Sequence, residues 1–313
     1  VTRVDRESDA WWAGVRPGMA LAAIGGESAQ AAYGKALART RESSTPQARH
    51  RGAVRRLIGR RRMPPADILK EIGGRLKLKK NRVQRAIHEL VATGEIAYTY
   101  EHGRTFLEPS FDRPVRVAER IVLIPPEKAF ASGPEDVAIR IMPGASFGAG
   151  RHPTTRLALR GIEFALTRCE KASIGPGTCV LDIGTGTGVL AMAAVLLGIE
   201  TGIGIDHDPC AAAEAKANVR LNGLDARITV SDIAVGCISG SFALIAANLR
   251  LPTLLRLAPS VAAWTPPGAA VVISGIRLEE EEALLSVYAK PSFESMWRGE
   301  EDEWAGAALV RRA

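Results

Sequence analysis

The chain of 313 residues is 46% hydrophobic and 24% charged, which is typical of a soluble protein with a buried core, and its length favours two or three domains. Because we find no long apolar run and no signal-peptide pattern, we expect no membrane span and a cytoplasmic location. The net charge of +7 is uneven: residues 1 to 112 contain 21 Lys and Arg against 12 Asp and Glu, and the remainder contains 20 against 22. The basic third predicts an acidic partner, with nucleic acid the leading candidate.

The four cysteines are scattered along the chain, at Cys169, Cys179, Cys210 and Cys237. None forms a C-x-x-C pair and no histidine lies at ligand spacing, so we expect no metal site. Scattered cysteines without a secretory signal indicate free thiols in a reducing cytosol.

The first two predicted segments are residues 1 to 34 and residues 35 to 62. In the first, a short strand, an Ala-Gly, an Arg-Pro-Gly turn and a strand ending in Gly-Gly follow one another, an order that resembles the middle of a PDZ domain. The second has turn-forming residues and then dense arginine. It predicts a basic linker, or alternatively an arm that contacts phosphates.

Residues 63 to 112 predict a small helical domain with a hairpin. "PPADILKEIGGRL" and "KKNRVQRAIHELVATGEI" have the apolar periodicity of helices, and "IAYTYEHGRTFLEP" alternates like two antiparallel strands. Two helices, the second basic, followed by a two-stranded wing resemble a winged-helix module. Such modules bind nucleic acid or dock proteins, and the sequence leaves both open.

Residues 113 to 313 alternate strands with helices, which predicts an α/β domain with a mostly parallel sheet and helices on both faces. "TCVLDIG" and "TGIGID" are the first two strands of this pattern, each followed by a helix. The final "WAGAALVRR" predicts a last strand at the sheet edge.

The strongest motif is "VLDIGTGTGVLA", residues 180 to 191. A strand carrying Asp182 leads through Gly184, Thr185, Gly186 and Gly188 into a helix, so the backbone can pass close to a ligand and offer N–H groups to it. A dinucleotide fold uses a similar turn. The G-x-G-x-G spacing and the preceding acid favour S-adenosylmethionine, with Asp182 either ordering the loop or facing the methionine amino group.

Two further acids follow the next two strands. Asp206 is at the position where a carboxylate would accept hydrogen bonds from both ribose hydroxyls. Asp232 is at the position where a carboxylate would accept a hydrogen bond from adenine N6. The nearby Asp208 could instead cap the following helix. Acids at the ends of successive strands fit the crevice of an open α/β sheet.

Asn248 ends the fourth strand, in "AANLRLP". Its side-chain oxygen can accept a hydrogen bond from a substrate amine, which would aim the nitrogen lone pair at a methyl group. A turn or cap asparagine is the alternative.

Six motifs in order, "FGAGRHPTTRLAL", "VLDIGTGTGVLAMAAVLLG", "GIDHDPCAAAEAKANVRLNG", "AANL", "PGAAVVISGI" and "EWAGAALVRR", resemble the ribosomal protein L11 methyltransferase family. The resemblance implies a Rossmann-like class I methyltransferase domain over residues 113 to 313. It also implies that S-adenosylmethionine is the cofactor and that amino groups of a ribosomal protein are the substrate. The site residues that it implies are Gly184, Gly186, Asp206, Thr154, Thr155 and Asn248.

The segment "FGAGRHPTT", residues 147–155, precedes the glycine motif and, by the same resemblance, folds over it as a flap. We expect Pro153 in the first turn of a helix, His152 at its cap, and the hydroxyls of Thr154 and Thr155 facing the reacting groups.

Two other functions remain open at this stage. One is a nucleic-acid-binding regulator whose methyltransferase fold is idle. The other is a methyltransferase acting on nucleic acid or a small molecule, although Asn248 is followed by Leu249-Arg250 rather than by the Pro-Pro-Tyr common in enzymes that methylate amino groups of nucleic acids.

Overall fold

The computed structural model describes residues 46–60, 62–101, 103–167, 175–289 and 292–312. The chain divides into two compact units between Ser110 and Phe111. The predicted PDZ-like fragment, residues 1 to 34, lies outside the described residues. In the described part of the chain, no helix has the length and apolar character needed to cross a bilayer.

Within residues 46–110, the described part of the first unit, the structure shows three helices and an antiparallel hairpin. These elements are α1 (Pro46–Arg60), α2 (Pro65–Leu76), α3 (Lys80–Ala92), β1 (Ile96–Glu101) and β2 (Arg104–Pro109). Met63 adds a bridge to the hairpin through two backbone hydrogen bonds with Leu107, of 2.8 and 3.1 Å. The order from α2 to β2 is the one that the sequence predicts for residues 63 to 112, and its kinship with winged helices stays a prediction.

The predicted basic linker, residues 35 to 62, is wrong over its second half, which is helix α1. Val54, Leu57 and Ile58 are buried and join a core with side chains of α2 and α3. Their spacing of three and four residues is that of a helix face, which the dense arginines obscured. Arg51 and Arg55 bind carboxylates instead of extending as a free arm.

The second unit contains a seven-stranded sheet and a small three-stranded one. The small sheet consists of β3 (Val115–Arg116), β4 (Ile121–Ile124) and β5 (Val137–Arg140). The large sheet consists of β6 (Gly175–Ile183), β7 (Ile199–Ile205), β8 (Ile228–Ser231), β9 (Leu244–Asn248), β10 (Ala270–Arg277), β11 (Phe293–Glu301) and β12 (Trp304–Arg311). Its helices are α4 (Pro153–Thr167), α5 (Val189–Leu196), α6 (Pro209–Leu221), α7 (Leu251–Trp264) and α8 (Glu281–Tyr288).

The order of the large sheet is β11-β12-β10-β9-β6-β7-β8. The strands from β10 to β8 are parallel, and β12 and β11 are antiparallel additions. The mostly parallel α/β fold is therefore confirmed. The prediction of "WAGAALVRR" as the edge strand is wrong, because β11 covers β12. The polar alternation of β11, with a face half open to solvent, hid this strand from the sequence pattern.

Successive residues of the central strands enter two cores, one on each face of the sheet. Val180 of β6 packs with helices α4 to α6, whereas its neighbour Leu181 packs with α7 and α8. This alternation is the period-two pattern of a strand buried on both faces.

The direction of the chain reverses beside β6. It continues from β6 to β7 and β8 on one side, and later returns to β9 on the other side. In open α/β sheets, such a reversal leaves a crevice at the carboxyl ends of the strands where ligands bind. The predicted site residues Asp182 and Asn248 lie at these ends.

Candidate functional site

The glycine loop, residues 184–188, forms a tight turn after β6. Its three glycines have φ values of 71°, 55° and 80°, a region that favours glycine. The N–H groups of Gly184 and Thr185 both donate to the carbonyl of Ile205, at 2.8 and 2.9 Å. This bifurcated contact fixes the loop to the end of β7.

Asp182 is fully buried beneath this loop. Its Oδ2 accepts hydrogen bonds from the Thr185 hydroxyl at 2.7 Å and from the Ala191 N–H at 3.2 Å. Burial raises the pKa of this carboxyl to about 6, against the opposing effect of these hydrogen bonds. Of the two roles predicted for Asp182, ordering the loop is the one that these contacts support.

Asp206 follows β7 and is largely buried. Its Oδ2 accepts from the N–H of Gly186 at 2.9 Å and its Oδ1 from the N–H of Asp208 at 3.1 Å. Asp208 caps α6 by accepting from the N–H of Cys210. Asp206 thus borders the glycine loop, while Asp232, just after β8, is exposed.

Asn248 is the last residue of β9, beside β6. The backbone of β10 at Gly275 passes close to Asn248 and Leu249. Gly275 has φ 89°, and a Cβ there would lie 2.5 Å from the carbonyl oxygen of Leu249 and 2.9 Å from Oδ1 of Asn248. On the other side, a Cβ added to Gly184 would lie 2.6 Å from Cδ2 of the Leu249 side chain. The backbone neighbours of Gly275 therefore require a glycine there, whereas at Gly184 it is the positive φ of 71° that favours one.

The flap, residues 147–155, lies on the glycine loop as its resemblance predicted. The carbonyl of Phe147 accepts a hydrogen bond from the N–H of Thr187 at 2.9 Å. A Cβ on Gly186 would stand 2.1 Å from the same oxygen, and one on Gly148 would stand 2.5 Å from the Thr187 hydroxyl. Two glycines thus permit backbone contact between flap and loop.

Two side chains of α6 hold the chain just before the flap. Glu214 accepts from the N–H groups of Ala145 and Ser146, both at 3.1 Å. Burial alone would raise the pKa of the Glu214 carboxyl, but these hydrogen bonds outweigh it and lower the pKa. The buried Asn218 accepts from the N–H of Met142 at 2.9 Å and donates to the carbonyl of Thr187 at 3.0 Å.

Arg156 and Glu301 fix the other end of the flap. The Arg156 Nε donates to Glu301 at 2.7 Å, and its Nη1 donates to the carbonyls of Gly150 and Arg151 at 2.8 and 2.5 Å. Arg160 binds the second carboxylate oxygen of Glu301 at 2.8 Å. Because Glu301 is nearly fully buried, its two arginine partners are needed to offset the cost of its charge.

Thr154 and Thr155 begin α4 and are buried. The Thr154 hydroxyl lies 2.8 Å from Nδ1 of His152, which also accepts from the Thr154 N–H and so caps the helix as expected. The His152 ring lies between the rings of Phe147 and Trp304, with centroids 5.0 and 4.9 Å away. The flap is therefore packed against the turn that joins β11 and β12.

Four buried polar atoms around this site lack a hydrogen-bond partner within the described residues. They are Thr155 Oγ1, Asp182 Oδ1, Thr187 Oγ1 and Asn248 Oδ1. Each unpaired buried polar group costs free energy, and such groups are rare in folded proteins. They lie on the glycine loop and on the elements that border it, which fits a site for a polar ligand. Among the described residues, no cluster of three or more His, Cys, Asp or Glu is arranged to hold a metal ion.

Sequence reasoning missed Glu214, Asn218, Arg156, Glu301 and Gly275. Each acts on backbone groups or on a partner distant in the sequence, so no local motif announces it. One signal was available: Glu214, Asn218 and Asn222 recur every four residues on α6, a polar stripe on a helix expected to be apolar there.

Comparison with known proteins assigns this unit to a family. The model of the ribosomal protein L11 methyltransferase family matches residues 109–312. A ribosomal protein L11 methyltransferase of Geobacter metallireducens is 35% identical over 192 residues, which are 61% of this chain and 60% of the relative. One of Chloroflexus aurantiacus is 34% identical over 223 residues, 63% of this chain and 65% of the relative. The chain thus spans about three fifths of the length of these relatives.

A solved structure agrees with this assignment. The ribosomal protein L11 methylase of Lactobacillus delbrueckii subsp. bulgaricus superimposes with a TM-score of 0.56 at 28% identity, covering 64% of this chain and all of that one. The family resemblance that the motifs suggested for residues 113 to 313 is confirmed.

Asp182→Asn should change the pH dependence of stability. Because the pKa of Asp182 is raised from 3.8 to about 6, the folded state holds this proton more tightly than the unfolded chain, so stability falls as pH rises between these values. Asparagine removes this loss. We expect the free energy of unfolding of the variant, relative to the parent, to rise by about 2 kcal/mol between pH 4 and pH 7 in denaturant titrations. A constant difference would contradict the raised pKa.

Gly186→Ala should destabilise the fold more than Gly223→Ala. Both glycines have positive φ, 55° and 66°, but a Cβ at Gly223 meets nothing within 4 Å. The left-handed backbone costs about 1–2 kcal/mol in each variant, and the clash with Phe147 adds roughly 1–3 kcal/mol at Gly186 only. Thermal and denaturant unfolding measure the difference, and equal losses would refute the contact between flap and loop.

Glu301→Gln should loosen the flap, because it leaves Arg156 and Arg160 without their carboxylate. Arg151 is an exposed trypsin site within the flap, so we expect cleavage after it to accelerate at least about tenfold, or about 1.4 kcal/mol in opening free energy. Cleavage after Arg277, inside the sheet, should not change. The control is Glu281→Gln, which removes the partner of Arg298 on the same strand β11. Equal acceleration in both variants would rule out a specific role for Glu301.

Proposed function

Because the chain belongs to the ribosomal protein L11 methyltransferase family, we propose that it transfers methyl groups from S-adenosylmethionine to amino groups of a protein. Ribosomal protein L11 is the first candidate substrate, since the relatives carry its name. The observation that carries the proposal is the set of four unpaired buried polar atoms around the glycine loop, Asp182 and Asn248 among them. A reaction on a ribosomal protein implies a cytoplasmic location.

The residues present fit this cofactor. The carboxylate of Asp206 suits a ligand with ribose hydroxyls, and Asp232 remains the candidate for adenine. The N–H groups of residues 184–188 all donate within the protein. The unpaired hydroxyl of Thr155 and the unpaired oxygen of Asn248 are acceptors for an ammonium or amine group. When bound, S-adenosylmethionine supplies an electrophilic methyl group on a sulfonium.

Asn248 is the proposed orienting residue. A protein amine attacks only as a neutral nucleophile with its lone pair aimed at the methyl carbon. The Oδ1 of Asn248 accepts an N–H of that amine, which fixes the direction of the lone pair. The backbone at Gly275 packs closely against Asn248 and Leu249, which restricts the Asn248 side chain before the substrate binds.

The flap supplies solvent exclusion. Phe147 of the flap contacts Thr187 of the glycine loop, and the rest of the flap is held in place by Arg156 and by the packing of His152 on Trp304. Removing water strengthens the interaction of Asn248 with the amine and prevents the amine from being reprotonated by solvent. Thr154 and Thr155, at the end of the flap, are proposed to face the reacting groups.

A nucleic-acid-binding regulator with an idle methyltransferase fold is the second candidate, and methylation of nucleic acid or a small molecule is a third. The basic first unit, with its helices and hairpin like those of winged-helix modules, favours contact with nucleic acid. The unpaired Asn248 favours the enzyme, because a site that only stores cofactor has no use for an amine acceptor.

Asn248→Ala and Asp206→Ala should separate turnover from cofactor binding. With radiolabelled S-adenosylmethionine at saturation and purified L11 of the same organism, we expect Asn248→Ala to lose at least about a hundredfold in turnover. Asp206→Ala should instead lose cofactor affinity in calorimetry. Full turnover by Asn248→Ala would refute the orienting role. Failure of the parent to label L11, with labelling of another protein or of RNA in a ribosomal extract, would overturn the substrate assignment.

A further inference from the structure

Helix α3 of the first unit presents a polar stripe to solvent. Asn81, Gln84, Arg85 and His88 recur at intervals of three and four residues and are all exposed. The opposite face, with Val83, Ala86, Ile87 and Leu90, is buried in the core with α1 and α2. The stripe is thus a fixed face of a firmly packed helix rather than a flexible tail.

Exposed cations flank this stripe. They are Arg75, Lys77, Lys79, Lys80 and Arg82, and residues 75–85 contain no Asp or Glu. Arg75 forms only a weak ion pair with Glu71, because Nη1 and Oε1 are 3.9 Å apart at the exposed helix surface. Residues 46–110 contain fifteen Lys and Arg against six Asp and Glu. Six of these fifteen cations lie in residues 75–85, at the end of α2 and in the first half of α3, with no acid among them.

The nearby carboxylates on the core side are already bound. Glu89 accepts from Arg51 at 3.1 Å and Glu95 from Arg55 at 3.2 Å. Besides partial burial, the charges of Arg82 and Arg49 lower the pKa of His50, which faces α3 from α1. The positive field around Arg82 is thus not neutralised by these acids.

The hairpin extends the same kind of surface. Tyr98 and Tyr100, two residues apart on one face of β1, are 50% and 75% exposed, and Arg104 is exposed at the start of β2. Tyrosine hydroxyls and arginine are common donors to phosphate and sugar oxygens.

We propose that the α3 face, defined as Asn81, Gln84, Arg85 and His88 with its flanking cations, binds double-stranded DNA in the major groove. A helix with its side chains is about 10–12 Å wide and enters the B-form major groove, which is about 12 Å wide. Asn, Gln and Arg are the side chains that pair with base edges there, and the flanking lysines and arginines bind phosphates. The A-form major groove of duplex RNA is too narrow for a helix.

This binding activity is independent of methyl transfer. A protein partner fits the face less well, because protein interfaces bury aromatic and apolar anchors at their centre and the stripe holds amides and charges. The DNA surface and the glycine loop lie in different units of the chain.

The test compares two full-length double variants that remove equal charge. Arg82→Gln with Arg85→Gln removes two cations from the α3 face, and Lys216→Gln with Arg220→Gln removes two exposed cations from α6 in the other unit. Binding to a short fluorescein-labelled DNA duplex of mixed sequence is measured by anisotropy over a series of salt concentrations. All substituted side chains are exposed, so thermal unfolding should remain that of the parent.

We expect the α3 variant to bind DNA at least about tenfold more weakly at low salt, and its slope of log affinity against log salt to fall by about 2. The α6 variant should stay within about twofold of the parent, and both variants should keep the parent's affinity for S-adenosylmethionine, since neither change touches the glycine loop. Equal DNA affinity in the parent and the α3 variant would overturn the proposal. So would tighter binding to an RNA duplex of the same sequence.

Discussion

The backbone contact between the glycine loop and the flap determines the form of the candidate site. The carbonyl of Phe147 approaches Gly186 so closely that any side chain there would occupy the position of the oxygen. Thr187 completes the contact by donating its N–H to that carbonyl, and its own carbonyl accepts a hydrogen bond from the side-chain amide of Asn218. The loop, the flap and α6 therefore share one set of backbone bonds, and a shift in any of them moves the others.

Buried charge stabilises this arrangement only where partners are supplied. Glu301 is paired with two arginines, and one of them, Arg156, also binds the flap carbonyls of Gly150 and Arg151, so this buried ion pair anchors the flap. Asp182 accepts hydrogen bonds from Thr185 and Ala191, and its complete burial nevertheless raises the pKa of its carboxyl. The unpaired oxygens of Asp182 and Asn248, together with the unpaired hydroxyls of Thr155 and Thr187, are features of a site shaped for binding rather than for stability.

The sequence predicted the α/β fold and the glycine loop, because these depend on local periodicity and on glycine spacing, whereas the position of the flap followed only from the family resemblance. It did not predict β11, whose polar alternation resembles a surface loop, or α1, whose apolar face is interrupted by arginines. Nor did it identify Glu214 or Arg156, which bind backbone atoms far away in the chain. Such contacts depend on the tertiary structure, and the local sequence around these residues contains no pattern that predicts them.

The central claim is that the unpaired atoms around the glycine loop form the binding site of the methyl donor. Hydrogen exchange measured by mass spectrometry, with and without S-adenosylhomocysteine, tests it most directly. We predict slower exchange in residues 144–155 and 182–190 together, with no change in residues 46–110. Protection confined to the first unit, or no protection at saturating ligand, would contradict the claim.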